Sequence, residues 1–298
     1  MEYRRLGRTE IEVSELSFGS HLNKANKADP EGRRRQIQAG IDCGINLFDI
    51  YEHSYQQFEP MSVALDAVRD EVVISLVTVW RAADEVMDEV EYALEVFKRD
   101  TIDLFRLVLK GDPEDAGQRM ESLVAAKEQG KIRAIGGVVH YPQHLVQGLE
   151  QFPDELDYML VPASFCAPLA LDEGRELAPL MTGRDLGIIA MKAMAAADDA
   201  GGYIHKLQPG GDEMAQLRAK GLSLGKLAVK YLLQSPIVAS VLPAMNSIDE
   251  VREDASACGD GSLTADEKRF LEIYREEADR VFPDMLGKDN YWVSPWTL

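Results

Sequence analysis

Apolar and polar positions follow two recurring patterns along the chain. Longer segments with apolar residues three or four positions apart predict helices. Short, nearly continuous apolar runs separate these segments and predict strands that are buried on both faces. The runs are LSFG, INLFD, VVISLV, IDLFRLVL, IRAIGGVV, YMLVPA, GIIAMK and VASVLP. Eight strand–helix units predict an α/β fold, a closed (β/α)8 TIM barrel, with a doubly wound sheet as the weaker alternative.

Composition narrows the class of protein. No Ser-, Pro- or Gly-rich linker divides the chain, so residues 1–298 are predicted to form a single domain. A net charge of −19 argues against binding to nucleic acid or to an anionic membrane. No apolar run reaches the roughly 20 residues of a membrane helix. The charged N-terminus and three widely spaced cysteines favour a cytoplasmic protein without disulfides.

Candidate chemistry lies at the carboxyl ends of the predicted strands, where a barrel gathers its active-site residues. The stretch FDIYEHSY brings Asp49, Tyr51, His53 and Tyr55 to the end of the second strand. Other strand ends carry further polar residues: His21, Lys110, His140, Ser164, Cys166 and Lys192. The predicted catalytic residues are Asp49, Tyr51, His53, Tyr55, Lys110 and His140.

Several segments resemble the aldo/keto reductases, in order, from Met1 to about Ala257. They include MEYRRLGRTEIEVSELSFGS, GINLFD, TIDLFRLV, GKIRAIGGVVHYPQHL and LPAMNSIDEVRED. The resemblance implies an N-terminal β-hairpin that plugs the barrel bottom, and residues 264–281 add a C-terminal helix outside the barrel. The chain is most similar to a subgroup that often carries a cysteine-rich iron–sulfur tail, which is missing here because the last cysteine is Cys258.

The resemblance implies an Asp–Tyr–Lys–His tetrad, of which this sequence matches one position. Asp49 stands at the aspartate position. Ser54 replaces the tyrosine, with Tyr55 one residue later. Val77 and Val108 stand at the lysine and histidine positions, and valine can neither tune a phenol nor relay a proton.

The positions that the resemblance implies for NADPH also differ. Val139 and Leu160 replace the serine and glutamine expected at the nicotinamide amide. Asn246 replaces an arginine, and Asp254 is expected to place negative charge near the bound polyanion, while Glu253 is kept. NADPH is therefore disfavoured, and the cofactor remains unknown.

Strand alternation suggests what replaces the missing lysine. If Val108 faces the barrel interior, Arg106 faces inward one layer deeper. A buried arginine requires a counter-charge, and Asp49, two strands away, is the predicted partner. The alternative is that Arg106 extends to the barrel floor.

Three functions remain open from the sequence. The first is a small-molecule enzyme that performs non-hydride acid–base chemistry, with a metal version that uses His21, His53, His140 and Asp49 or Glu52. The second is an NAD(P)H-dependent oxidoreductase of carbonyl compounds with Tyr51 or Tyr55 as a rearranged proton donor. The third is a non-catalytic binding or scaffold protein. The aromatic tail NYWVSPWTL could cover the pocket or contact a second subunit in a homo-oligomer.

Overall fold

The computed structural model describes residues 1–19, 29–50, 58–78, 82–109, 112–140, 142–166, 177–194 and 204–281. An antiparallel hairpin of β1 (Tyr3–Arg5) and β2 (Glu12–Ser14) precedes the barrel. The eight parallel strands follow: β3 (Phe18–Gly19), β4 (Leu47–Ile50), β5 (Val73–Thr78), β6 (Ile102–Val108), β7 (Ile132–Val138), β8 (Tyr158–Pro162), β9 (Gly187–Met191) and β10 (Val238–Leu242).

Each barrel strand pairs with the next strand in the sequence. Isolated parallel bridges between Leu16 and Val241 and between Gly19 and Ala244 join the first strand to the last. These bridges close the sheet, so the predicted (β/α)8 barrel is confirmed and the doubly wound sheet is excluded.

The described helices lie between and after the strands. They are α1 (Pro30–Asp42), α2 (Phe58–Leu65), α3 (Val86–Phe97), α4 (Pro113–Glu128), α5 (Pro142–Gln151), α6 (Leu177–Thr182), α7 (Asp212–Ala219), α8 (Leu224–Leu233), α9 (Ile248–Ala255) and α10 (Ala265–Val281). The predicted C-terminal helix is confirmed as α10. The sequence pattern missed α7, because only Met214 and Leu217 of this helix are buried and two positions give no clear periodicity. None of the described helices has the length and hydropathy of a membrane span.

Local sequence signals fix where several helices begin. Asp29 and Asp112 cap α1 and α4, and each carboxylate accepts a hydrogen bond from a backbone N–H of the first turn, at Gly32 and Glu114. A proline occupies the first position of both helices, where its missing N–H costs nothing.

Side chains of alternating strand positions form two separate apolar layers. The outer layer lies between the strands and the helices, and the inner layer fills the barrel. Leu6, Ile11 and Val13 of the hairpin segment belong to the inner layer, together with residues near the strand starts. Gly187 leaves room for this contact, since a Cβ there would come within 2.5 Å of the Leu6 side chain. The prediction that the hairpin plugs the barrel bottom is confirmed.

Candidate active site

The centre of the barrel holds a buried ion pair. Arg106 Nη1 donates to Asp49 Oδ1 at 2.5 Å, and Arg106 Nη2 donates to Asp49 Oδ2 at 3.1 Å. The two residues are 1% and 4% exposed. Burial opposes the charged guanidinium, but the Asp49 carboxylate and the nearby Tyr158 side chain together outweigh it, so the pKa of Arg106 lies above its ordinary value. The predicted partnership is confirmed, and the alternative of Arg106 at the barrel floor is wrong.

Ser75 completes the contacts of this carboxylate. The Ser75 hydroxyl donates to Asp49 Oδ1 at 2.7 Å and accepts from Arg106 Nη1 at 2.8 Å. Strand register explains the contact, because Ser75 lies opposite Asp49 on the neighbouring strand. Ser75 was not predicted as a site residue, although it lies two residues before the inward-facing Val77 and therefore shares its face of the strand.

Tyr158 brings a phenol to the same layer. It is fully buried, and its hydroxyl interacts electrostatically with Arg106 and Asp49 but makes no well-oriented hydrogen bond. Burial raises the pKa of the Tyr158 phenol, so the phenol stays protonated at neutral pH. Gly136 lies between Arg106 and Tyr158 in the sheet register, and a Cβ at Gly136 would come within 2.4 Å of the Tyr158 ring carbon Cε1. The large Tyr158 ring therefore requires glycine at position 136.

Apolar side chains line the barrel interior on the side of its mouth. Val77 is 4% exposed and lies opposite Arg106 in the register, and it belongs to the inner layer. Val108 is partly exposed and packs against the same layer two residues beyond Arg106. Both side chains thus face the barrel interior, as expected from the sequence. Neither can exchange a proton with Asp49.

The described positions implied for the nicotinamide amide are also apolar. Val139 is 1% exposed and belongs to the outer layer, whereas Leu160 is 2% exposed and belongs to the inner layer. Neither side chain offers a hydrogen-bonding group to an amide. These two positions do not fit the nicotinamide end of such a cofactor.

The surroundings of Asp254 oppose the negative charge that the sequence predicts at this position. Asp254 is 3% exposed, and burial, followed by the charges of Glu253 and Glu250, raises the pKa of its carboxyl to about 8. Burial therefore favours the neutral form of this carboxyl. The sequence alone predicts a negative charge here, because it does not show the loss of solvent around the carboxyl.

The predicted mouth residues are only partly covered by the structure. His140 follows β7 and is partly exposed, and Lys192 follows β9 and is partly exposed as well. Tyr51, His53, Tyr55, Lys110, His21 and the aromatic tail lie outside the described residues. The structure thus brings Asp49 to the barrel centre and His140 to the rim, and it leaves the other predicted catalytic residues untested. Within the described part of the chain, no three His, Cys, Asp or Glu side chains form a metal-binding group.

The arrangement separates two chemical environments. Both oxygens of Asp49 accept hydrogen bonds from Arg106 or Ser75, and the neighbouring Val77 is apolar, which favours an inert ion pair. Groups that titrate closer to neutral pH, such as histidine, lie at the rim, where solvent and small molecules have access.

Comparison with known proteins identifies the class of protein that this closed barrel represents. A model of the aldo/keto reductase family matches residues 15–273. An uncharacterized oxidoreductase, YqkF, of Bacillus subtilis is 22% identical over 93% of this chain and 97% of its own length. L-galactose dehydrogenase of Arabidopsis thaliana is 23% identical over 92% of this chain and 93% of its own. A 6-dehydroglucose reductase of Novosphingobium aromaticivorans is 22% identical over 84% and 87%.

Solved structures support the same assignment of fold. The holo form of the aldo-keto reductase AKR11C1 from Bacillus halodurans superposes with a TM-score of 0.66 at 23% identity, over 92% of this chain and 96% of that chain. Because the family model spans most of the sequence, the chain belongs to the aldo/keto reductase family.

Proposed function

We propose that this family member is an enzyme that performs acid–base chemistry on a small molecule without hydride transfer. The reaction takes place at the carboxyl-terminal mouth of the barrel and uses Tyr51, His53, Tyr55, Lys110 and His140. Asp49 serves as the structural partner of Arg106. Elimination, isomerisation and hydrolysis all belong to this chemistry.

The observation that carries the proposal is that both Asp49 carboxylate oxygens accept hydrogen bonds from Arg106, and Oδ1 accepts a further one from Ser75. In the tetrad implied by the family resemblance, this carboxylate pairs with a lysine that lowers the pKa of a tyrosine. Here its partner is an arginine, which retains its proton at any accessible pH and makes a poor proton relay. The apolar Val77, opposite Arg106 in the register, and Val108, two residues beyond Arg106, favour chemistry at a different set of residues.

The apolar side chains of Val139 and Leu160 argue against a standard NADPH-dependent reaction. Each missing hydrogen bond to a buried amide typically removes about 1–3 kcal/mol of binding free energy. We therefore expect NADPH and NADH to bind no more tightly than about millimolar, measured by fluorescence titration. Micromolar binding would favour the second function described below.

Solvent-deuterium exchange tests the proposed reaction directly. The purified protein is incubated in D₂O with hydroxylated aldehydes and ketones, and the loss of C–H signals next to the carbonyl is followed by proton NMR. L-galactose and 6-dehydroglucose belong in the panel because two relatives are named for them. Cofactor-free exchange, elimination or isomerisation is the expected result.

Variants of mouth residues then assign the proton carriers. Tyr51→Phe and His140→Ala should each lower turnover by about 10²–10⁴-fold, the usual contribution of a general acid or base. The matched control Tyr3→Phe removes a phenol from the distant hairpin and should leave turnover unchanged. If every mouth variant lowers turnover by less than about tenfold, the chemistry lies elsewhere or the barrel only binds.

A second candidate is an NAD(P)H-dependent oxidoreductase with a rearranged proton donor, Tyr51 or Tyr55. Family membership and the names of the relatives favour it, since all three are oxidoreductases, dehydrogenases or reductases. The raised pKa of the Asp254 carboxyl also weakens one electrostatic objection to a bound nucleotide. The cofactor titration separates this candidate from the first.

A further inference from the structure

The helices outside the barrel do not cover it evenly. Helix α2 packs against α3, and α3 packs against α4, whereas α4 and α5 do not pack closely against each other. A cleft with a volume of about 560 Å³ lies between α4 and α5. Leu109, which follows β6, and Ala116 of α4 are both buried and form its apolar base, together with Gly148 of α5. Leu109 belongs to the outer apolar layer, so the cleft lies on the outside of the barrel.

Close packing around Leu109 gives the cleft a fixed shape. A Cβ at Gly148 would lie 2.6 Å from Leu109 Cδ1, and a Cβ at Gly137 of β7 would lie 2.5 Å from the same atom. The two glycines therefore hold the leucine side chain between β7 and α5. Across the gap, Gln151 Nε2 donates to the carbonyl oxygen of Pro113 at 2.7 Å, which ties α5 to the start of α4.

The charged groups of the cleft are carboxylates. Asp112, before α4, and Glu150 of α5 line the cleft, and none of the described lining residues is a lysine or an arginine. Asp112 Oδ1 accepts from Glu114 N, but a carboxylate accepts several hydrogen bonds, so this helix cap leaves capacity for a ligand. Arg119, further along α4, forms its ion pair with Asp115 and not with either carboxylate of the cleft.

An apolar base beside two carboxylates suits an organic cation. The net charge of −19 attracts cations to the whole surface, but only a ligand with an alkyl part also gains from contact with Leu109 and Ala116. Across the residues that the structure describes, no three side chains form a metal-binding group, so these carboxylates are not part of a metal site of that kind.

We propose that the cleft between α4 and α5 binds a small aliphatic amine. The alkyl chain of the amine packs on Leu109 and Ala116, and its ammonium groups pair with Asp112 and Glu150. The cleft is separate from the barrel interior and from the proposed reaction at the mouth, so this binding site does not depend on the proposed function.

Matched ligands test the site by calorimetric titration. Putrescine is a diamine, and butanediol has the same carbon chain with hydroxyl groups in place of the ammonium groups. The wild-type protein should bind putrescine at least about tenfold more tightly than butanediol, because only putrescine forms ion pairs with the two carboxylates. Magnesium chloride, titrated in parallel, has the same cationic charge without an alkyl chain and should bind at least about tenfold more weakly than putrescine.

Variants separate the two carboxylates from the overall charge. Asp112→Asn/Glu150→Gln should abolish the preference for putrescine over butanediol, and asparagine still caps α4. The control Glu114→Gln/Glu121→Gln removes the same charge from exposed positions of α4 outside the cleft lining and should retain the preference. Gln147→Trp places a large ring at an exposed position of the lining, so it should block putrescine and leave the melting temperature unchanged.

Several results would overturn the proposed site. They are a wild-type protein that binds putrescine no better than butanediol or magnesium, a preference that survives Asp112→Asn/Glu150→Gln, and full putrescine binding by Gln147→Trp. Loss of the preference in the Glu114→Gln/Glu121→Gln control would mean that overall charge attracts the amine, which also contradicts the site. None of these results depends on deuterium exchange or on NADPH binding, so the site and the proposed function are tested separately.

Discussion

Two buried arginines are stabilised in different ways in this molecule. Arg106, at the barrel centre, is 1% exposed and pairs with the Asp49 carboxylate through both terminal nitrogens. Arg33, in α1 at the seam between β3 and β10, is 3% exposed and pairs with no carboxylate among the described residues. Its terminal nitrogens donate to the carbonyl oxygens of Gly19 and Met245 and to Gln36 Oε1.

Burial disfavours the charge on both guanidinium groups, but their pKa values shift in opposite directions. Burial lowers the pKa of Arg33 to about 10, because carbonyl dipoles and the Phe18 ring, 4.6 Å from Cζ, do not replace a counter-charge. The Asp49 carboxylate raises the pKa of Arg106 despite its deeper burial. A buried charge therefore depends on its partner at least as much as on its depth.

Removal of the Arg106 guanidinium should have the largest effect. Arg106→Leu should lower the free energy of unfolding by about 3–5 kcal/mol, because it leaves the Asp49 carboxylate buried without a counter-charge. Urea denaturation measures this. The double variant Arg106→Leu/Asp49→Asn should recover part of the loss.

A control for this prediction lies on the surface. Arg5 makes a similar two-pronged pair with Asp185, but both side chains are more than half exposed, at 53% and 55%. Arg5→Leu should change stability by less than about 1 kcal/mol. Equal losses in the two single variants would contradict the dependence on burial.

Asp254 extends the comparison to an acid without a counter-charge. Its carboxyl pKa is raised from 3.8 in the unfolded chain to about 8 in the fold, so the folded state binds this proton more tightly. The stability contributed by the neutral carboxyl is fully present below about pH 4 and is lost as the pH rises to about 8. Asp254→Asn avoids this loss, and at pH 9 it should be more stable than the wild type by about 2–4 kcal/mol.

Thermal unfolding between pH 5 and pH 9 measures this effect. Asp70→Asn serves as the control, since the Asp70 side chain is 81% exposed, and its stability should follow the wild-type pH profile. If the difference between Asp254→Asn and the wild type does not grow with pH, the Asp254 carboxyl is ionised in the folded protein at neutral pH.

Removal of the Arg33 guanidinium should have a smaller effect than removal of that of Arg106. Arg33→Met leaves the carbonyl oxygens of Gly19 and Met245 without their donors, which should cost about 1–3 kcal/mol. No carboxylate is stranded, so the loss should stay below that of Arg106→Leu in the same urea experiment. Arg34→Met, at an exposed position of the same helix, should lie within about 0.5 kcal/mol of the wild type. A loss for Arg33→Met above that of Arg106→Leu would reverse the comparison.

Much of the fold and one contact of the candidate site follow from the sequence alone. Continuous apolar runs between amphipathic segments determine the eight strands and the helices between them, because the two periodicities are local properties of the chain. Strand alternation also places Arg106 inside the barrel, and the need for a counter-charge selects Asp49.

The contacts that other residues make with this ion pair depend on the closed barrel. Ser75 and Tyr158 reach the ion pair through strand register, and Gly136 makes room for the Tyr158 ring, which no pattern within one strand indicates. Burial of Asp254 against α8 raises the pKa of its carboxyl, which the sequence does not indicate. Periodicity depends on neighbours in the chain, whereas burial, crowding and counter-charges depend on strands and helices that meet only when the barrel closes.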